Sequence, residues 1–324
     1  MKHPVMKYSV MKHSVKNPFK KLTLSLLLIL SFSQSAWADG KLALKEVEKN
    51  IYAIVGDLTN RTPKNLGNNA TFGVIVTDKG VVLIDAGGTY GGAKQIHTMI
   101  KTITDKPIVK VINTGGQDHR WLGNAYFKKL GAEIIASEKA VKDQKSRKDF
   151  QFLMLSNLVG EKEVKLTDPV YADKTFEKEY KFKLGEIEFE ISHIGQAHTP
   201  GDSFVWLPQS KVMFTGDIVY TERMLGVLDH SNSKSWLKVF EAMASHKPKH
   251  IIPGHGHPTT LEKAKKDTYD YLVSLRSGVT QFIEDDGDLS EISKVDQSKF
   301  DYLFNHKTLS GRNAQQVFTE MEWE

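Results

Sequence analysis

Cysteine is absent from this chain of 324 residues. That excludes disulfides, a thiolate nucleophile and a cysteine-based zinc site together, and it suits an oxidising compartment, where a stray thiol is a liability. Long apolar runs are also lacking. The best of them, Leu22 to Phe32, falls well short of the roughly 20 residues that a membrane-spanning helix needs. Acid is missing from the first 38 residues, which hold six lysines and no Asp or Glu. A basic start, a short apolar run and the small-x-small pattern Ala36-Trp37-Ala38 together read as a secretory signal peptide, residues 1–38, cut after Ala38. No twin arginine or lipobox cysteine accompanies it. The expectation is general export to the periplasm, with no stable membrane anchor after cleavage.

The charge balance follows from that cut. The whole chain carries +5, but without the six signal lysines it has 38 basic against 39 acidic side chains, or −1. The basicity belongs to the targeting segment, and nothing in the remainder points to a nucleic-acid partner. A phosphate-binding G-x-x-x-x-G-K-[ST] run is lacking, so the glycines at 87–88 and 91–92 read as turns.

What the chain does contain is alternating β and α patterning. Phe72–Gly87 is two β-branched runs around Thr77-Asp78-Lys79-Gly80, a hairpin signal. A helical stripe of Ile96, Met99, Ile100 and Ile103 follows, and then the strand PIVKVINT. Residues 138–164 are charged and helical in tendency and interrupt the alternation as a lid would. The second half repeats the outline: a strand at EIEFEISHIG, a hairpin around Pro208-Gln209-Ser210-Lys211, an amphipathic helix at SWLKVFEAMASHK and the strand KHIIPGHGH. Two such halves imply an α/β fold in which two mixed β-sheets form a sandwich flanked by helices. The expected organisation is one domain over 39–324, with a helical extension from about 261 to 324.

Polar clusters fall where the expected strands run into loops, the usual place for site residues. They are Asp118-His119, His198 in GQAHTPGDS, Asp217 in MFTGDIV and His255 in IIPGHGH. Imidazoles with a carboxylate suit Zn²⁺, with Fe²⁺ or Mn²⁺ left open. Such a metal lowers the pKa of bound water to about 7 and so supplies a nucleophile without serine or cysteine.

Five ordered pieces, VVLIDAGGT, VINTGGQDHRWLGN, GQAHTPGDSFVW, VMFTGDIV and IIPGHG, resemble the metallo-β-lactamase-fold hydrolase superfamily. The tail GRNAQQVFTEME resembles its exported quinoprotein-relay-type zinc metallohydrolases. The resemblance implies a metallo-β-lactamase-like αββα sandwich. It also implies a buried Asp85 tying down the metal loop, His198 on a first metal, Asp217 bridging two metals and His255 on a second. The departure lies in the first motif. Where the family has His-x-His-x-Asp-His after Asn-Thr, the preferred ungapped reading puts Gly115 and Gln117 in place of two histidines, His119 in place of the aspartate and Arg120 in place of the last histidine. Anchoring on Asp118-His119 instead keeps that pair but needs a deletion before it and an insertion after it.

One metal per chain is therefore expected, from His119, Asp217 and His255 with His198 or Asp118 as a fourth donor. Asp118 is the expected general base. The expected function is an exported hydrolase of small molecules, in which a metal-activated hydroxide attacks an ester, lactone, thioester or amide carbonyl. The alternative is a metal-poor pseudoenzyme or accessory binding protein that keeps the fold, and a protein partner stays open.

Overall fold

The computed structural model describes residues 40–322 and residue 324, so the expected signal peptide lies outside the described residues. Strands β1 (Ala43–Glu48), β2 (Ile51–Val55), β3 (Thr71–Thr77), β4 (Gly80–Ile84), β5 (Ile108–Asn113), β6 (Glu133–Ser137) and β7 (Lys174–Phe176) form one sheet in that spatial order. Its first four strands pair antiparallel and β4 to β7 pair parallel, so the sheet is mixed. Strands β8 (Glu179–Leu184), β9 (Ile187–Ser192), β10 (Phe204–Leu207), β11 (Val212–Phe214) and β12 (His250–Ile252) form the second sheet, parallel only between β11 and β12.

Both expected hairpins form. Thr77 pairs with Gly80 across Asp78-Lys79, and the Thr77 hydroxyl accepts from Lys79 N and donates to Gly80 O. The second turn closes with Lys211 at φ 54°.

Strand alternation sends side chains to both faces of each sheet. Ile75, Val82, Ile84 and Ile112 from the first sheet meet Ile191, Val205, Leu207 and Phe214 from the second in the inter-sheet core. The other face of the first sheet, with Val74, Leu83 and Val111, buries Ala93 and Ile96 of α1 (Tyr90–Ile100). Thr89 caps α1 by accepting from Gly92 N. Short helices α2 (Asp118–Trp121) and α3 (Asn124–Lys129) follow β5. The outer face of the second sheet is covered by α6 (Ser233–Ser245), α8 (Asp270–Glu284) and α9 (His306–Met321). The layers are helix, sheet, sheet, helix, in agreement with the sequence pattern.

The segment at 138–164 forms α4 (Glu138–Val159) and the short α5 (Glu161–Val164). Ser137 caps α4 by accepting from Ala140 N, and Gly160 ends it at φ 100°. One face buries Gln144, Gln151 and Leu155, while Phe150 and Leu153 are each 60% exposed.

The C-terminal elements hold the loops after β11. A π turn, Lys265–Tyr269, joins α7 (Leu261–Ala264) to α8. Its Thr268 hydroxyl accepts from Tyr220 N at 2.9 Å and donates to Tyr220 O at 2.6 Å. Asn313 of α9 accepts from Val227 N and donates to Leu225 O, each at 2.8 Å.

The sheets approach closely at Gly73, where a β-carbon would lie 2.2 Å from the Phe214 ring across the interface. Overpacking of that kind costs about 1–3 kcal/mol. Gly73→Ala is expected to lower the urea midpoint of unfolding accordingly, and an unchanged midpoint would contradict this account of the interface.

Candidate metal centre

Strands β4, β5, β11 and β12 deliver their following loops to one edge of the sandwich. Asp85 leaves β4 at φ 67° and accepts from Thr114 N at 2.7 Å and from the Thr114 hydroxyl at 2.9 Å. Its other oxygen accepts from Arg120 Nη1 at 2.9 Å. Asp85 so fixes both ends of the loop that carries Gly115, Gly116 and Gln117.

Arg120 is fully buried. Nε and Nη2 donate to the two oxygens of Asp217 at 3.1 and 2.7 Å, and the remaining donors reach Thr71 O and Gly254 O. Burial works against every charge in this group. Asp217 and then Asp85 nonetheless hold the guanidinium above its ordinary pKa. Arg120, then His119, keep Asp217 well below the carboxylate range. For Asp85 burial prevails and its pKa rises.

Three donors converge on the open side of Asp217. His119 Nε2 lies 3.2 Å from Oδ2, and His255 Nε2 lies 3.3 Å from Oδ1. One ligating atom from each of His119, Asp217 and His255 falls within 4.8 Å of the others. The outer ring nitrogens are fixed from behind, His255 Nδ1 on Asn69 O at 2.9 Å and His119 Nδ1 on Asp118 Oδ1 at 3.1 Å. A carbonyl can only accept, so His255 Nδ1 carries the proton and its Nε2 presents a lone pair, whereas His119 Nδ1 touches both an acceptor, Asp118 Oδ1, and a donor, Arg61 Nη2 at 3.4 Å. Burial lowers the pKa of His255 well below its ordinary value, which keeps that ring neutral.

Among the described residues, His198 stands outside this cluster. Its Nδ1 donates to Gly226 O at 3.0 Å, and burial pushes its pKa down to about 3. It shares a recess of about 120 Å³ with His119, His255, Tyr220, Arg61 and Arg223. Tyr220 stacks on His255 at 4.6 Å between centroids and lies 5.7 Å from His198.

Asp118 points the other way from the three donors' meeting point. Its Oδ2 pairs with Arg61 Nη1 at 3.1 Å. Against burial, Arg61 and then His119 hold its carboxyl well below the usual range.

The loop positions 115 to 117, of which the resemblance assigns 115 and 117 to histidines, are closed in by other groups. A β-carbon at Gly115 would meet Asp202 Oδ1 at 2.4 Å, and one at Gly116 would meet Asp143 Oδ2 at 1.8 Å. Asp143, from α4, is paired with Arg147, which also donates to Gln117 Oε1 at 3.3 Å. Asp202 accepts from Thr199 N at 2.7 Å, and burial followed by the nearby Asp217 charge raises its carboxyl to about 8.

The family model of the Metallo-beta-lactamase superfamily matches residues 67–255, more than half of the chain. The chain belongs to the metallo-β-lactamase superfamily. It is 25% identical over 242 residues to the metallo-beta-lactamase type 2 of Elizabethkingia meningoseptica, covering 72% of this chain and 85% of that one. Among solved structures, a metallo-beta-lactamase from Pontibacter korlensis superposes with a TM-score of 0.55 at 21% identity, over 69% of this chain and 96% of that chain. The sec-alkylsulfatase Pisa1 from Pseudomonas sp. superposes with a TM-score of 0.64 at 18% identity, over 86% of this chain but only 50% of that one. These structural likenesses bear on the fold alone.

Against that superfamily frame, sequence reading missed Arg61, Arg223, Asn69, Tyr220 and Asp202. One signal was available. The chain has only six arginines, and five of them, at 61, 120, 147, 223 and 312, gather at this centre or the cavity above it.

The raised pKa of Asp202 gives a test. The folded state holds this proton more tightly than the unfolded chain, so stability is fully present below about 4 and is lost as pH rises through about 8. Relative to Asp202→Asn, the wild type is expected to lose up to about 1.4 kcal/mol per pH unit within that window. Parallel melting curves of the two proteins from pH 4 to 9 would refute this reading.

Proposed function

We propose that this chain is an exported hydrolase of the metallo-β-lactamase superfamily, folded as one domain after loss of residues 1–38, that works with a single metal held by His119, Asp217 and His255. One observation carries the reading: the Nε2 atoms of His119 and His255 face the two oxygens of Asp217 at 3.2 and 3.3 Å. At His255, whose Nδ1 is committed to Asn69 O, the Nε2 lone pair set against Asp217 Oδ1 is repelled unless a cation lies between them. Zinc bonds of 2.0–2.2 Å in tetrahedral geometry put neighbouring donors about 3.4 Å apart, which these separations match. Two imidazoles and a carboxylate leave a position free, as catalytic rather than structural zinc sites do.

A bound Zn²⁺ would acidify water and polarise a carbonyl at that open position. The chain's own residues do the rest. Asn69 and Asp118 fix the two imidazoles by their Nδ1 atoms. Arg120 anchors Asp217 from behind, leaving the second lone pair of each oxygen for the metal. Asp118, expected as a general base, is read here as the group that orients His119, because Arg61 occupies it. His198 faces the recess beside the metal donors and is the nearest imidazole for an incoming substrate or a fourth bond. An ester, lactone, thioester or amide of a small molecule fits the chemistry, and the periplasm is the compartment the sequence indicates.

The same Arg120 supports a second reading, a metal-poor accessory protein, since its guanidinium already neutralises Asp217. Metal analysis of the mature protein separates the two. About one zinc, iron or manganese per chain, lost in His255→Ala, is expected for the hydrolase. No bound metal after incubation with each ion would establish the accessory reading instead.

The single metal has its own test. Gly115→His with Gln117→His restores the family's residue types, but the β-carbon at 115 collides with Asp202. The double variant is expected to melt lower than wild type and still to bind one metal. A stable protein with two metals would refute mononuclearity.

A further inference from the structure

Above the three donors the recess opens into a cavity of about 730 Å³, a size suited to a small organic ligand. Its two walls differ in kind. α4 supplies Phe150, Met154 and Leu158, with Phe150 60% and Met154 37% exposed. α9 faces it with Arg312, Gln315, Gln316 and Thr319, spaced as one face of a helix. α9 lies wholly beyond the family-model match, which ends at residue 255.

The charges are equally uneven. Arg61, Arg147, Arg223 and Arg312 line the cavity, against Asp118 and Asp229. Arg61 is committed to Asp118 and Arg147 to Asp143. Arg223 donates to Leu58 O, Thr59 O and Asn60, all uncharged acceptors. No carboxylate partner exists for Arg223 or Arg312 among the described residues. Burial lowers the Arg223 pKa to about 10, outweighing the charges of Asp217 and Asp57 nearby. Arginine is scarce in this lysine-rich chain, and its planar fork is the better partner for a carboxylate or sulfate group.

We propose that the cavity selects amphiphilic organic anions, with the carboxylate or sulfate held by Arg223 and Arg312 and the apolar body laid along Phe150, Met154 and Leu158 of α4. This rests on the hydrolase reading for its chemistry but not for its binding, because the arginines and the apolar wall are in place whatever metal is bound.

The test is calorimetric titration of the full chain with octanoate, octyl sulfate, acetate, octyl glucoside and octyltrimethylammonium, with metal content measured on the same samples. Octanoate and octyl sulfate are expected to bind, and the ratio of their affinities tells which anionic group the site prefers. Arg312→Gln, at an exposed position, is expected to weaken both by about tenfold. Phe150→Ser, also exposed, is expected to weaken octanoate and leave acetate unchanged. Octyl glucoside or the cation binding as tightly as octanoate would overturn the proposal. So would acetate matching octanoate, or Arg312→Gln binding like wild type. Metal retained without anion selectivity defeats this inference alone, whereas anion selectivity without metal defeats the hydrolase reading alone.

Discussion

The buried Asp85–Arg120–Asp217 chain of ion pairs is the constraint on which the centre depends. A charge withdrawn from water is tolerated only when its hydrogen-bonding capacity is filled, and breaking such a pair costs about 3–5 kcal/mol. Arg120 meets that condition by reaching two carboxylates and the carbonyls of Thr71 and Gly254. In doing so it joins the end of β4, the start of β3, the turn after β11 and the loop after β12. Four chain segments distant in sequence are thus held in one register. Asp217 is presented to the imidazoles in a single orientation, with its remaining lone pairs outward.

Around that anchor the loop after β5 is densely packed and hydrogen-bonded. The space at Gly115 and Gly116 is taken by Asp202 and Asp143, which are tied to Thr199 and Arg147. Gln144 and Gln151 of α4 donate to the carbonyls of Gly115 and Gly116, at 3.1 and 2.8 Å. Each replacement makes at least one hydrogen bond, and Gln144 Oε1 alone of these groups is buried without a partner, a state that costs about 1–3 kcal/mol. A loop that had merely lost its function would show no reason for Asp118, Asn69 and Gly226 to hold three imidazoles by their Nδ1 atoms.

Much of this could be read from residue order. Strand periodicity and turn chemistry are local, so both hairpins and the sandwich were legible, as was the trio His119, Asp217 and His255. The neighbouring pair Asp118-His119 was ambiguous because either could face inward. The first turn of α2 resolves it by directing His119 to Asp217 and Asp118 to Arg61. Arg61 comes from a loop 57 positions earlier in numbering, and the groups that fill the Gly115 and Gly116 positions come from α4 and the loop before β10. Such pairings are set by tertiary packing, for which one sequence carries no periodic signal. The scarcity of arginine was visible, but its meaning needed the fold.

On the two proposals made above, chemistry and selectivity fall to different stretches of this chain. The superfamily core supplies the strand ends and, with them, the candidate metal donors His119, Asp217 and His255, a scaffold that supports many reactions. The segment beyond it acts on the same loops from outside. Thr268 holds the backbone of Tyr220, which stacks on His255, and Asn313 holds Leu225 and Val227 at the cavity wall. A change in the packing of α8 or α9 would therefore reach the centre through Tyr220 and reach the cavity through Val227. Because α9 carries Arg312 one residue before Asn313, the contact that fixes the loop also fixes the backbone from which that cation extends.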